Sequence, residues 1–359
     1  MAKQTIIPFG PQHPVLPEPI HLDLVLEDEK VVQAIPSIGF IHRGLEKLVE
    51  KKEYTELMYV TERICGICAF GHNWGYCHAI EILLNVEVPE RAEYLRIMWH
   101  EMSRIHSHLL WLGLLADAFG FESLFMHCWR LREGILDLFE KTTGGRVIFS
   151  VNKVGGVHRD VSPEMLQEIS TVIAGMKKEY DELASVFMED VSVKNRTVGV
   201  GTVSKEDAAA LCAVGPTARG SGISTDIRST GHSIYGKLDF EPIVEEGGDC
   251  YARAMVRVKE VYQSMDMIQK IIADIPEGEI AVAVKGKPEG EFMARVEQPR
   301  GEACYYVKGN GTKNLDRMRI RTPTNINVPF LVNALAGCEL ADVPVIVLSI
   351  DPCISCTER

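Results

Sequence analysis

Two short motifs at opposite ends of the chain could bind a metal. Arg63-Ile64-Cys65-Gly66-Ile67-Cys68 lies in the first fifth, and Asp351-Pro352-Cys353-Ile354-Ser355-Cys356 closes the sequence. In each, two residues separate the cysteines, so both sulfurs can reach one ion from a single turn of chain. Four soft thiolates suit zinc, iron or nickel. A structural zinc module normally closes its two pairs within about 15–20 residues, because its metal replaces a missing core. Here almost the whole chain separates the pairs, and a chain of 359 residues has ample core of its own. A thioredoxin-like redox role for one pair would leave the other unexplained. The spacing therefore leaves zinc open but favours a buried catalytic metal.

The remaining composition narrows the setting. Apolar residues make up 46% and charged residues 25%, as in ordinary globular proteins. A formal net charge of −12 and the absence of any basic tract argue against a nucleic-acid partner. The N-terminal segment lacks the apolar stretch and cleavage site of a secretory signal. No uncharged apolar run is long enough to cross a bilayer, so other subunits would have to hold the chain at a membrane. Ten cysteines without an export signal read as reduced thiols. Cys77, Cys128, Cys212, Cys250, Cys304 and Cys338 are isolated, and by default such residues are small buried apolar groups.

The elements that must position the two motifs are mostly helical. A proline-rich loop from Pro8 to Pro19 leads into a β-hairpin over residues 20–35. Helices are expected from about Gly44 to Lys52 and from near Cys65 through Leu84. The clearest begins at Pro89 and carries Ala92, Leu95, Met98, Met102, Ile105, Leu109, Leu112 and Ala116 at helical spacing, ending near Gly120. Further helices are expected over 122–142, 162–187, 205–212 and 250–273, with an irregular stretch between Ser192 and Gly248. Strands are expected at 280–284, 291–297 and 303–307. The sum is an α+β protein, mainly α with peripheral β, built as one domain. Its parts are an N-terminal loop and hairpin (1–43), a mostly helical body (44–276) and a mixed closing segment (277–359).

The two cysteine motifs resemble the signatures of [NiFe] hydrogenase large subunits. Further segments match that family in order: Gly10-Pro11-Gln12-His13-Pro14, His42-Arg43-Gly44-Leu45-Glu46, Arg104-Ile105-His106-Ser107-His108 and Gln298-Pro299-Arg300-Gly301-Glu302. Together with Gly215–Gly222 they look most like the membrane-associated, energy-converting (Ech-like and CO-linked) branch. That branch is related to the quinone-site subunit of respiratory complex I, whose members have lost the metal-binding cysteines.

The resemblance implies a set of roles. Cys65 and Cys353 would bind nickel terminally, and Cys68 and Cys356 would bridge nickel to an iron carrying carbon monoxide and cyanide, installed by nickel-insertion and maturation proteins. Heterolytic cleavage of hydrogen needs a Lewis acid beside a base, and Cys353 is the candidate base. Arg300 would hang its guanidinium over the open metal face, with the acidic residues Asp117 and Asp351 nearby. Asp117 lies about three helical turns beyond His106, on the same face. His72 would hydrogen-bond a bridging sulfur, and Glu18 would gate proton exit. Glu46 corresponds to a ligand of a second metal, magnesium or iron. Its usual partner is a C-terminal histidine, however, and this sequence ends in Thr357-Glu358-Arg359, as though a C-terminal tail had been trimmed or never existed. Each role also has a plainer reading, such as a turn arginine at 300, a core histidine at 72, or Glu46 paired with Lys47 or Arg43. Because no further cysteine quartet has cluster-like spacing, electrons would pass to ferredoxin through an iron–sulfur small subunit. Other membrane subunits would couple the reaction to ion movement on the cytoplasmic side of the membrane.

Overall fold

The computed structural model describes residues 4–359. The first three residues, part of the segment read above as lacking a secretory signal, lie outside the described residues. The N-terminal sheet is a three-stranded meander of β1 (Gln4–Phe9), β2 (His21–Glu27) and β3 (Lys30–Ser37), rather than a lone hairpin. β1 pairs antiparallel with β2 from Gln4↔Glu27 to Phe9↔Leu22. The strand escapes notice in the sequence because Pro8 sits within it, and proline is tolerated on an edge strand.

Four helices follow: α1 (Leu45–Val49), α2 (Tyr54–Glu62), α3 (Ala69–Leu83) and α4 (Glu90–Ala118). The helix expected from near Cys65 through Leu84 is α3, which begins four residues later, and α2 was not expected. α2 stops at Glu62, and residues 63–68 form a turn, so the first cysteine pair sits ahead of α3. α4 begins one residue after Pro89. It is buried on nearly every side between Leu95 and Trp111, with Arg96, His100, Arg104, His106 and His108 as deep as its apolar stripe. Such a helix is the centre of a fold rather than one of its faces. It packs against α5 (Glu122–Thr143) and against two later helices, α10 (Cys250–Asp274) and the C-terminal α12 (Val343–Ser349).

The small hairpin of β4 (Asn152–Lys153) and β5 (Gly156–Val157) leads to α6 (Pro163–Glu189), capped by the Ser162 hydroxyl. The stretch expected to be irregular holds only short helices, α7 (Val191–Thr197), α8 (Lys205–Ala210) and α9 (Pro216–Arg219). Then comes the long α10 (Cys250–Asp274), capped by Asp249, whose Oδ1 accepts from Ala252 N at 2.7 Å.

The second sheet contains β6 (Glu289–Gln298), β7 (Gly301–Asn310) and β8 (Leu315–Arg321), with α11 (Pro323–Leu335), α12 (Val343–Ser349) and α13 (Ile354–Thr357) after it. Residues 280–284, expected as a strand, make only one bridge, between Ala281 and Gly156. The fold is α+β, a helical core with small peripheral sheets, as the pattern of elements predicts.

Candidate metal centre

The fold closes on itself at the two cysteine motifs. Cys65, Cys68, Cys353 and Cys356 are all at most 3% exposed. Cys353 Sγ lies 3.2 Å from Cys65 Sγ, and the sulfurs of Cys65, Cys68 and Cys356 lie within 4.8 Å of one another. Hydrogen bonds from Cys353, Cys356 and Cys68 hold the Cys65 thiol well below its ordinary pKa. Burial, and then the neighbouring cysteine sulfurs, push Cys356 well up. Without a cation the cluster thus supports one thiolate and resists more; a soft metal ion would let all four ionise together. The donor set therefore fits a soft metal, and nickel, iron and zinc are all within its range.

Each loop is held by its surroundings. The Arg43 guanidinium donates to Arg63 O (3.0 Å), Ile64 O (2.6 Å) and Ser355 O (3.3 Å), tying both cysteine loops together. Cys353 N donates to Thr324 Oγ1 at 3.0 Å, and Thr322 Oγ1 donates to Cys356 O at 3.1 Å. Asp351 has φ 56°, a left-handed conformation that aspartate tolerates better than most residues and that turns the chain into Pro352.

Arg300 points inward. It is 3% exposed, with Nε donating to Asp351 O (2.9 Å), Nη2 paired with Asp351 Oδ1 (2.7 Å) and Nη1 at 3.2 Å from Cys68 Sγ and 3.4 Å from Ser107 Oγ. Burial opposes its charge, but Asp351 and then the cysteine sulfurs outweigh that and hold it protonated. The turn carrying it is set by backbone contact. A Cβ on Gly215 would lie 2.2 Å from Arg300 O, and one on Gly301 2.7 Å from Gly215 N, so only glycines let these segments meet. Arg104 Nη2 donates to Glu297 O at 2.7 Å, anchoring the same turn to α4.

His72 Nε2 stands 3.2 Å from Cys356 Sγ, and its Nδ1 is 2.7 Å from Tyr305 Oη. Gln298 Nε2 donates to that phenol oxygen at 3.0 Å. These partners assign the tautomer: Tyr305 donates to Nδ1, and Nε2–H donates to the sulfur. Burial lowers the imidazole to about 4, so it stays neutral. Glu18 accepts from Ile354 N, from Ser355 Oγ, and from Ser355 N at 3.1 Å, and so lies against the second cysteine loop.

Two expected residues are not brought in. Asp117 is solvent-facing at the last turn of α4 and makes no hydrogen bond or ion pair with Arg300. Ser107, ten residues earlier on the same helix, takes that place, because α4 runs past the centre and its end emerges beyond it. Glu46 is the second correction. Its carboxylate accepts from Ile320 N (2.9 Å), Arg319 Nη1 (2.9 Å) and Arg359 Nε (3.2 Å), while Lys47 pairs with Glu50. Two guanidiniums occupy the space a cation would need, so these residues do not fit magnesium or a second iron. Among the described residues, the only group of three or more metal-ligating side chains in reach of one another is the cysteine cluster. Sequence reasoning missed Ser107, Tyr305, Arg43 and Thr324 as partners. Ser107 and Arg43 stood inside recognised motifs; Tyr305 and Thr324 gave no signal in the sequence.

Comparison with known proteins identifies the family. Residues 43–117 match the family model described as nickel-dependent hydrogenase, and residues 118–285 and 283–359 match that of the respiratory-chain NADH dehydrogenase 49 Kd subunit. The membrane-bound hydrogenase subunit alpha of Pyrococcus furiosus is 38% identical over 98% of this chain and 87% of its own length. The carbon monoxide-induced hydrogenase of Rhodospirillum rubrum is 38% identical over 98% of this chain and 99% of its own. An NADH-quinone oxidoreductase polypeptide of Phocaeicola vulgatus is equally similar, 38% identical over 94% of this chain and 66% of its own length. Among solved structures, a polypeptide of the membrane-bound sulfane sulfur reductase, an archaeal respiratory membrane complex, superposes with a TM-score of 0.94 at 31% identity, covering 99% of this chain and 98% of the other. This chain belongs to the oxidoreductase family that unites the large subunits of nickel-dependent hydrogenases with the 49-kDa subunit of respiratory-chain NADH dehydrogenase.

Proposed function

We propose that this protein is the catalytic subunit of an energy-converting [NiFe] hydrogenase, interconverting hydrogen with two protons and two electrons. The observation that carries this reading is the convergence of four buried cysteines beneath a buried, fully charged arginine. Cys65, Cys68, Cys353 and Cys356 would hold the metals. Nickel and iron bound there would supply the Lewis acid at which hydrogen is polarised and the path by which its electrons leave. Arg300 and Asp351 keep a fixed cation over the site and exclude bulk water. His72 directs its N–H at Cys356 and steadies that sulfur. Cys353 would take the proton as the base, and Glu18, which touches the same loop, would pass it outward.

Electrons need a partner. The remaining cysteines do not assemble with one another among the described residues, so an iron–sulfur subunit relaying to ferredoxin belongs to the proposal. Among the described residues, no helix is long and apolar enough to cross a membrane. The proposal includes a peripheral position on the cytoplasmic face, with other subunits that hold the chain and couple the reaction to ion movement. The relatives named as membrane-bound and carbon monoxide-induced hydrogenases support this setting.

The deciding experiment is an infrared spectrum in the carbonyl and cyanide region, with nickel and zinc analysis on the same matured preparation. Bands with bound nickel are expected. A matured complex with neither bands nor nickel would favour a quinone-binding subunit of the complex I type, and zinc alone would mean a structural site. Glu18→Gln is expected to slow exchange of hydrogen with solvent deuterons about 10²-fold, the lower range for a lost acid–base group, with nickel content unchanged. Exchange at the wild-type rate would remove Glu18 from the route.

A further inference from the structure

Behind Arg300 runs a seam of buried charge that the proposed chemistry leaves unused. Arg219, from α9, pairs with Glu297 Oε1 at 2.9 Å, Asp226 Oδ2 at 3.0 Å and Glu260 Oε1 at 2.7 Å. Arg228 pairs with Asp226 at 2.8 Å and reaches Glu260 at 3.4 Å and Glu101 at 3.6 Å, and Arg104 pairs with Glu101 at 3.1 Å. All these side chains are at most 2% exposed. Four carboxylates thus share three guanidiniums, so one of the four can hold a proton without leaving an arginine unpaired.

The seam has an inner and an outer end. Toward the metal centre, Glu260 Oε2 is 2.8 Å from His108 Nε2. One helical turn before Glu260, Arg257 stacks 4.1 Å over Trp111 and feels the charges of Asp351, Glu260 and Arg300. Here, among the described residues, these buried polar atoms have no partner: Asp351 Oδ2, Arg257 Nε and Nη2, and His108 Nδ1. Buried polar atoms left in this way are normally met by ordered water, so they mark a polar path from Asp351 to the His108–Glu260 pair. Arg219 Nε and Thr217 Oγ1, farther along, are also without partners. At the outer end, Glu297 and Asp226 line a cavity of ≈ 410 Å³ with Ser224, Thr225, Ser229 and Arg295.

We propose that this seam is a second proton route, leading from the Asp351–Arg257 space through His108 and Glu260 to Glu297, which exchanges the proton with the cavity. It rests on the hydrogen-splitting reading, since that reaction supplies the proton; no bond other than those to the travelling proton changes. Glu297 is the suitable terminus. Burial, and then the Asp226 carboxylate, raise it to about 7 against the pull of Arg219 and Arg228, so it can take up and release a proton near neutrality. His108, lowered to about 4 by burial, is neutral, with Nε2–H given to Glu260 and Nδ1 left as an acceptor. The arginines cannot relay the proton; they hold the carboxylates within reach of one another.

The test uses the matured complex with Glu18 already changed to glutamine, so that the remaining exchange of hydrogen with solvent deuterons reports any other route. Adding Glu297→Gln is expected to lower that residual exchange by about tenfold or more, with carbonyl and cyanide bands and nickel content unchanged. Glu297→Asp is expected to restore part of it, and His108→Gln, which keeps a donor to Glu260 but removes the ring, to give a similar loss. An independent readout is a protonated-carboxyl infrared band, sensitive to deuterium, that is present at neutral pH and missing in Glu297→Gln. Residual exchange unaffected by both Glu297→Gln and His108→Gln, in protein with intact bands, would overturn the second route while leaving the hydrogenase reading standing. A wild-type complex without the bands would overturn both.

Discussion

Replacing Arg300 by lysine should lower hydrogen turnover by about 10²–10³-fold, the loss seen when one preorganised hydrogen-bond donor is removed from a water-excluded active site. The charge survives the change but the geometry does not. The guanidinium reaches in three directions at once: Nε and Nη2 to Asp351, and Nη1 to Cys68 and Ser107. An ammonium is a single point on a flexible stem and cannot span the aspartate and the sulfur together. Because Asp351 would still face a cation, nickel content and melting temperature should change little. Arg300→Ala differs in kind. It strands a buried carboxylate, and the expected cost is about 3–5 kcal/mol of stability. The rate per bound nickel separates the two variants, and an unchanged rate in Arg300→Lys would reduce the residue to a structural clamp.

Cys353→Ser should remove turnover altogether, for two reasons that the measurement can divide. Serine is a hard, protonated donor where the metals need a soft thiolate. Since changing even an outer partner of a ligand costs about 10–100-fold in metal affinity, losing a ligand should exceed that, and most of the nickel should be absent. In the fraction that keeps nickel, loss of the base should still lower the rate about 10²–10⁴-fold. The fold itself should persist, because Cys353 contributes one small side chain to a core built from α4, α5 and α10. Full turnover with intact infrared bands would rule out Cys353 as the base.

Both predictions depend on features legible at different levels. The two cysteine pairs could be picked out because their identity and local spacing carry the signal, whereas Arg300 within Gln298–Glu302 and His72 four residues after Cys68 stood out only through the resemblance to hydrogenase large subunits. The helices α4, α5, α6 and α10 were likewise readable, since long apolar periodicity is a local property. The edge strand β1 and the turn between α2 and α3 were not. The first owes its form to pairing with β2, and the second to the need to turn Cys65 and Cys68 toward a distant partner.

The sequence by itself determined the two cysteine pairs, the α+β class, the charge that argues against nucleic acid and the resemblance to hydrogenase large subunits. Only the tertiary structure decided which groups surround those cysteines. It put Ser107 rather than Asp117 beside Arg300, gave Tyr305 to His72, filled the space around Glu46 with Arg319 and Arg359, and joined Glu297 to Glu260 through Arg219. The physical reason is range. A ligand motif or a helix is encoded within a few residues, whereas the partner of a buried charge comes from wherever the chain returns to complete the hydrogen bonds and ion pairs that burial demands.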